Sequence, residues 1–338
     1  FAEACILETL ALSIYNYDCA VASAASRMTI AAHGRPCVDF GARRAHEQAA
    51  VAAARASVVG GFVGTSDLEA GMRYGIPTVG TSAHSFTLLH DSEEDAFAAQ
   101  VASLGAGTTI LVDTYDIARG VERAVKAARD AGGELGAVRL DSGDLVAEAF
   151  KVRAQLDALG ATTTKITVTN DLDEYAIAGL GTAPVDSYGV GTKLVTGSGR
   201  PTAALVYKLV ERAGSDGQMH QVAKFSEGGK ATVGGRKWAG RVAGADGSAV
   251  EELVISAREQ DEALAALSEA KARPLQIDLV CNGVIVEEHR GPQALAAAAE
   301  RHQVSRAELP YDAWRLSEGE PAVPTRHLDL DGRSPLQG

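Results

Sequence analysis

Residues 108–145, TTILVDTYDIARGVERAVKAARDAGGELGAVRLDSGDL, decide the fold. A β-branched apolar run (TTILVDTYD, 108–116) gives way to an Ala-rich stretch with helical spacing (IARGVERAVKAARDAG, 117–132). A second apolar run, GAVRLDSGD (136–144), follows at once. Apolar runs of this length without alternation predict strands covered on both faces, and strand–helix–strand with short connections predicts a parallel pair. The same texture extends both ways. PCVDFG (36–41), GGFVGTS (60–66), PTVGTSAH (77–84), KITVTND (165–171) and DSYGVGT (186–192) read as further strands, with helices at 45–57, 92–105 and 145–160. Nearly every strand ends in Gly or polar residues. An α/β barrel brings all such ends to one face, whereas an open doubly wound sheet gathers only a few at its switch point. An irregular, TIM-like α/β barrel is the expectation for residues 35–200.

Two regions flank it. Residues 1–34 are expected to form a helical lead-in that packs on a second domain, with apolar Ile6, Leu7, Leu10, Ile14 and Val21 near helical spacing. Residues 201–338 change to β-like stretches and close on an Ala-rich helix (293–301) and a Pro-dotted tail, which predicts a β-rich C-terminal domain. SEGGKATVGGRK (226–237) reads as either a mobile loop or a packed turn.

Composition narrows the function. The 338 residues carry 32 Lys and Arg against 44 Asp and Glu, a net charge of −12, which disfavours non-specific nucleic-acid or anionic-membrane binding. No apolar run approaches the roughly 18 residues of a membrane span, and the first residues lack the basic start of a signal peptide. Cys5, Cys19, Cys37 and Cys281 form no CxxC pair, which fits a reducing cytoplasm better than a zinc site or a disulfide framework. No HExxH, GxGxxG, P-loop or GxSxG pattern is present.

The candidate site is the set of strand ends: Phe40-Gly41, Gly64-Thr65-Ser66, Thr81, His84-Ser85, Asp113, Arg139 and Asp141, Asn170-Asp171, and Gly191-Thr192. Each has a plain structural role open to it. Asp113 or Ser66 would cap a following helix, Arg139 and Asp141 would pair at a rim, and a single histidine is more often structural than catalytic. Their shared position favours a joint role with a phosphorylated sugar. Gly-Thr and Gly-Ser turns present backbone N–H groups to phosphate, Arg43, Arg44 and Arg139 suit phosphoryl oxygens, and Asp141 and Asp171 suit ribose hydroxyls and developing positive charge.

The ordered series VDFGARR (38–44), GFVGTSDLEAG (61–71), YGIPTVGTSAHSF (74–86), LVDTYD (111–116), VRLDSGDL (138–145) and VDSYGVGTKLVTG (185–197) resembles the nicotinate phosphoribosyltransferases. The resemblance implies transfer of phosphoribose from 5-phosphoribosyl 1-diphosphate to nicotinate, coupled to ATP hydrolysis, as the first step of NAD salvage from nicotinate. It implies a phosphorylated histidine at His84 oriented by Asp113, nicotinate contacts from Thr81 and Arg139, and a stacking ring at Phe40. It further implies a phosphate-binding Arg43, ribose-facing Asp141 and Asp171, and a 5-phosphate turn at Gly191-Thr192. Mg²⁺ would arrive mainly on the diphosphate or ATP with no dedicated protein ligands. The resemblance also implies a cytoplasmic homodimer with shared active sites.

Two departures keep alternatives open. Asp67 stands where the family has Asn, and the family's segment ahead of residue 1, with a nicotinate-contacting tyrosine, lies outside this sequence. A nicotinamide- or quinolinate-type transferase is one alternative, and a truncated, non-catalytic partner subunit is another. Ser66 favours the acid, because the nicotinamide users place an aspartate there.

Overall fold

A computed structural model describes residues 2–224 and 233–330. The chain forms two compact units: residues 13–204 with 291–299, and residues 1–12 with 205–290 and 300–338.

The first unit is an irregular α/β half-barrel. Six strands, β1 (Cys37–Asp39), β2 (Gly64–Thr65), β3 (Thr109–Leu111), β4 (Ala137–Leu140), β5 (Lys165–Val168) and β6 (Ser187–Val190), run parallel in the order β2-β1-β6-β5-β4-β3. Val38, Ile110, Val138, Ile166 and Val190 sit at their centres; the last four are completely buried, which is why these runs show no polar alternation. The expected strand at 77–84 contributes only a bridge from Thr78 to Thr65. Pro77 has no N–H to donate to a ladder, and a short helix, His84–Leu88, begins at the end of that segment.

Helices cover the sheet. The helix Ile117–Asp130 lies so close to the end of β3 that a Cβ on Gly120 would come within 2.2 Å of the Val112 carbonyl oxygen. Aspartates set the starts of four helices: Asp67 before Leu68–Tyr74, Asp116 before Ile117–Asp130, Asp144 before Leu145–Ala158 and Asp173 before Glu174–Gly179. Each side chain accepts a backbone N–H of the first turn, which is ordinary N-capping.

The lead-in forms a single long helix, whose first residues, to Leu12, group with the β-rich unit. Helix Ala2–Ala31 belongs to the half-barrel unit from Ser13 onward and buries Ala20, Val21, Ala24, Ala25 and Met28, not Ile6, Leu7, Leu10 or Ile14, which are 56–63% exposed. Small residues on that face permit close approach. The helix is held by Arg27 on Glu174 (2.8 Å), Tyr17 Oη on the Val195 carbonyl (2.9 Å), Thr29 Oγ1 on the Gly60 carbonyl (2.9 Å) and an Arg55–Asp18 pair.

The second unit is β-rich, as the sequence predicts. Its sheet orders the strands Ala272–Pro274, Lys237–Ala243, Ala249–Ser256 and Thr325–Asp329, over a core of Leu253, Ile255, Ala263 and Leu267. The terminal helix, Gly291–Ala307, is not wholly its own: Leu295 packs with Ala54, Ala70 and Ile76 of the half-barrel. Most of the 226–237 segment lies outside the described residues.

Candidate active site

Strand ends build the site, and Arg139 at the end of β4 ties it together. Its Nε donates to Thr169 Oγ1 (2.9 Å), its Nη1 to Thr81 Oγ1 (2.8 Å) and its Nη2 to Asp141 Oδ1 (3.1 Å). The guanidinium also lies over the Phe40 ring, 5.4 Å from its centroid. Thr169 Oγ1 donates in turn to Asp141 Oδ1. The Arg139 side chain is only 12% exposed, so its bonds act with little solvent screening.

Two cavities meet at Phe40, Arg43 and Arg139. One, about 300 Å³, is also lined by Ala42, Ser66, Gly80, Thr81 and Ala83. The other, about 130 Å³, is polar: Arg44, Asp141, Asn170 and Asp171 face Gly189, Gly191 and Thr192 across it. Gly189 lets the Phe40 ring lie flat on β6, since a Cβ there would come within 2.6 Å of both the ring and Thr169. Asn170 and Asp171 both have positive φ (90° and 38°), a left-handed conformation these side chains tolerate better than most.

Beneath the larger cavity lies Asp39, completely buried. Its Oδ1 accepts the Gly41 N–H (2.7 Å) and its Oδ2 the Thr65 hydroxyl (2.7 Å), while its backbone carbonyl accepts the Ser66 N–H (2.7 Å). Burial pushes its carboxyl above the usual range, partly offset by the bonds from Thr65 and Gly41. Asp67 is turned away into its helix, accepting the Ala70 N–H (2.8 Å), so Ser66 is the residue of this loop that lines the cavity.

Residues 36–228 match the model of the nicotinate phosphoribosyltransferase (NAPRTase) family. The chain belongs to this family. A nicotinate phosphoribosyltransferase of Mycobacterium tuberculosis is 50% identical over 336 residues, 97% of this chain and 71% of that protein. The Bacillus subtilis nicotinate phosphoribosyltransferase is 40% identical over 70% of this chain and 49% of its own length. Among solved structures, nicotinate-nucleotide pyrophosphorylase from Pyrococcus furiosus superposes with a TM-score of 0.72 at 25% identity, over 90% of this chain and 73% of that one. Human nicotinic acid phosphoribosyltransferase gives 0.73 at 23%, over 96% and 74%, a likeness of fold.

Within this phosphoribosyltransferase, Phe40, Arg43, Ser66, Thr81, Arg139, Asp141, Asn170, Asp171, Gly191 and Thr192 all line one or both cavities. His84 and Ser85 line neither. His84 sits at the margin with Nε2 3.9 Å from Asp141 Oδ2. Its expected pairing with Asp113 is corrected: His84 Nδ1 lies 3.1 Å from Thr114 Oγ1. Asp113 Oδ2 instead accepts the Asp141 N–H (2.8 Å) and the Ser142 hydroxyl (2.7 Å), and its Oδ1 is buried without a partner. The neighbouring loop, not the histidine, lies nearest that carboxylate. Asp39, Thr114, Thr169 and Gly189 are not legible as site residues from the sequence. Among the described residues no cluster of three metal-ligating side chains occurs, and no helix is long and apolar enough to cross a membrane.

Proposed function

We propose that this chain transfers phosphoribose from 5-phosphoribosyl 1-diphosphate to nicotinate, with release of diphosphate. The observation that carries it is Arg139, partly buried and shared by a cavity floored by an aromatic ring and a polar cavity rimmed by Arg43 and Arg44. The first suits a pyridine carboxylate: Phe40 offers a face for the ring, and Ser66 and Thr81 offer neutral hydroxyls. The second suits the phosphorylated ribose, with arginines for the 5-phosphate and Asp141, Asn170 and Asp171 for the sugar hydroxyls. In the displacement, the bond from C1 of ribose to diphosphate breaks as the bond to the pyridine nitrogen forms. Positive charge spreads over the ring during that step, and the Asp141 carboxylate beside it stabilises this charge. Holding both partners across one guanidinium supplies the alignment.

ATP coupling is part of the proposal. With Nδ1 against Thr114, His84 Nε2 faces Asp141 at 3.9 Å, and its half-exposed ring is open to a phosphoryl donor. Mg²⁺ carried in on the substrate would neutralise the diphosphate, and Asp141 and Asp171, which line the polar cavity, are the carboxylates that would face it. We place the enzyme in the cytoplasm as a homodimer. The four free cysteines support the first assignment, and the exposed apolar row Ile6, Leu7, Leu10 and Ile14 supports the second.

The acid-against-amide choice tests the reading. A carboxylate at position 66 would repel nicotinate and accept from an amide, whereas Ser66 is neutral and Asp67 points elsewhere. Wild type is expected to favour nicotinate over nicotinamide by at least about a hundredfold in kcat/KM, and Ser66→Asp to erode that ratio. A wild type that uses nicotinamide equally well would move the protein to the sister activity.

A further inference from the structure

Asp39 lines neither cavity, yet it holds a wall of the larger one on each side. Through Gly41 N–H its carboxylate fixes the turn that carries Phe40 and Arg43; the carboxylate through the Thr65 hydroxyl, and the Asp39 backbone carbonyl through the Ser66 N–H, fix the loop that carries Ser66. The direction of these bonds is determined. Thr65 Oγ1 accepts the Asp67 N–H (3.0 Å), so its one proton is free to point at Asp39. Gly41 N–H is a donor by nature. Both carboxylate oxygens therefore face donors, a requirement that an acceptor-only group meets and an amide does not. A fully buried carboxylate with no cation among its hydrogen-bond partners is expensive to keep. A role in geometry explains why it stands at this position on β1, where its neighbours along the strand are apolar.

We propose that Asp39, acting through Thr65, is a positioning residue that sets the spacing between the Phe40 ring and Ser66, and so the affinity and acid selectivity of the acceptor pocket. The proposal rests on the assignment of that cavity to nicotinate. It predicts that breaking the Thr65 arm affects the acceptor and leaves the phosphoribosyl donor largely untouched, because the donor groups Asp141, Asn170, Asp171, Gly191 and Thr192 stand on other strand ends, whereas a change at Asp39 also reaches Arg43 and Arg44 through the Gly41 turn.

The test compares steady-state kinetics of wild type, Asp39→Asn, Thr65→Val and Thr65→Ser, varying nicotinate, nicotinamide and 5-phosphoribosyl 1-diphosphate in turn. Asn turns an amide donor toward Gly41 or Thr65, Val deletes the hydroxyl at constant shape, and Ser restores it. Loss of a hydrogen bond to a buried charged group predicts a nicotinate KM raised about tenfold or more in Asp39→Asn and Thr65→Val. In Thr65→Val donor KM and kcat should stay within about threefold while the nicotinate preference falls, and Thr65→Ser should behave like wild type. If Asp39→Asn does not fold, the Val and Ser pair at position 65 decides. An unchanged nicotinate KM in Thr65→Val, or a Thr65→Ser as impaired as Val, overturns the positioning role while leaving the activity standing. A wild type without nicotinate turnover overturns both.

Discussion

Arg139 is the residue on which both cavities depend, and its fork geometry is the reason. Three separate nitrogens satisfy Thr169, Thr81 and Asp141 while the plane lies over Phe40. Lysine is a point charge that meets one or two of these acceptors, so Arg139→Lys is expected to cost about 2 kcal/mol or more in transition-state binding, read from kcat/KM. Unchanged efficiency would reduce the arginine to a structural ion-pair partner. At His84 the prediction is chemical. His84→Ala should lose both phosphoenzyme and ATP hydrolysis while keeping slow, ATP-independent transfer, followed with γ-phosphate-labelled ATP. Acid-labile, base-stable label persisting in the alanine variant would place the phosphoacceptor elsewhere. The residues at the strand ends were legible in the sequence because each follows an apolar run. Their pairings were not. Asp113 and His84 are 29 positions apart, and whether they meet depends on sheet curl and loop path, which no local spacing encodes.

Between elements, one buried carboxylate joins three segments. Glu174, the first residue of its helix, accepts from Arg27 of the long N-terminal helix (2.8 Å) and from Ser198 after the last site turn (2.6 Å). Burial alone would raise its carboxyl, but the Ser198 and Arg27 hydrogen bonds outweigh it and hold the group below the usual range. A depressed folded pKa means that this contribution is complete above the ordinary glutamate value and is lost as pH falls through the folded one. Glu174→Gln should therefore destabilise the protein by about 1–3 kcal/mol at neutral pH, measured by denaturant unfolding. The difference from wild type should narrow as the solution is acidified below about pH 4.5. A constant difference across that range would mean the carboxylate is not what binds these elements. The helical spacing of the apolar residues shows the helix but not its buried face: close packing on the half-barrel selects the alanines, and Arg27 pairs with a residue 147 positions away.

At the scale of the molecule, the open question is what covers the apolar row Ile6, Leu7, Leu10 and Ile14. On the proposed homodimer a second copy would cover it, and sedimentation equilibrium should give twice the 35.0 kDa chain mass at micromolar concentration. A monomer at that concentration, with full activity, would remove the shared-site expectation. The net charge of −12 acts at the same scale by keeping nucleic acid and anionic lipid at a distance, which agrees with small-molecule chemistry.

The sequence by itself determined the alternation of strand and helix, the gathering of polar residues at one end of each strand, and the family. Capping is local as well, since Asp67, Asp116, Asp144 and Asp173 bond within three residues of themselves. These are local properties, set by periodicity and by side chains that reach their own backbone. Only the tertiary structure decided that the strands close no further than a half-barrel, that Asp113 holds the Asp141 loop instead of His84, and that Asp39 links two loops beneath the pocket. Each of those depends on the register of parallel strands, where partners are brought together by a sheet whose neighbours are distant along the chain.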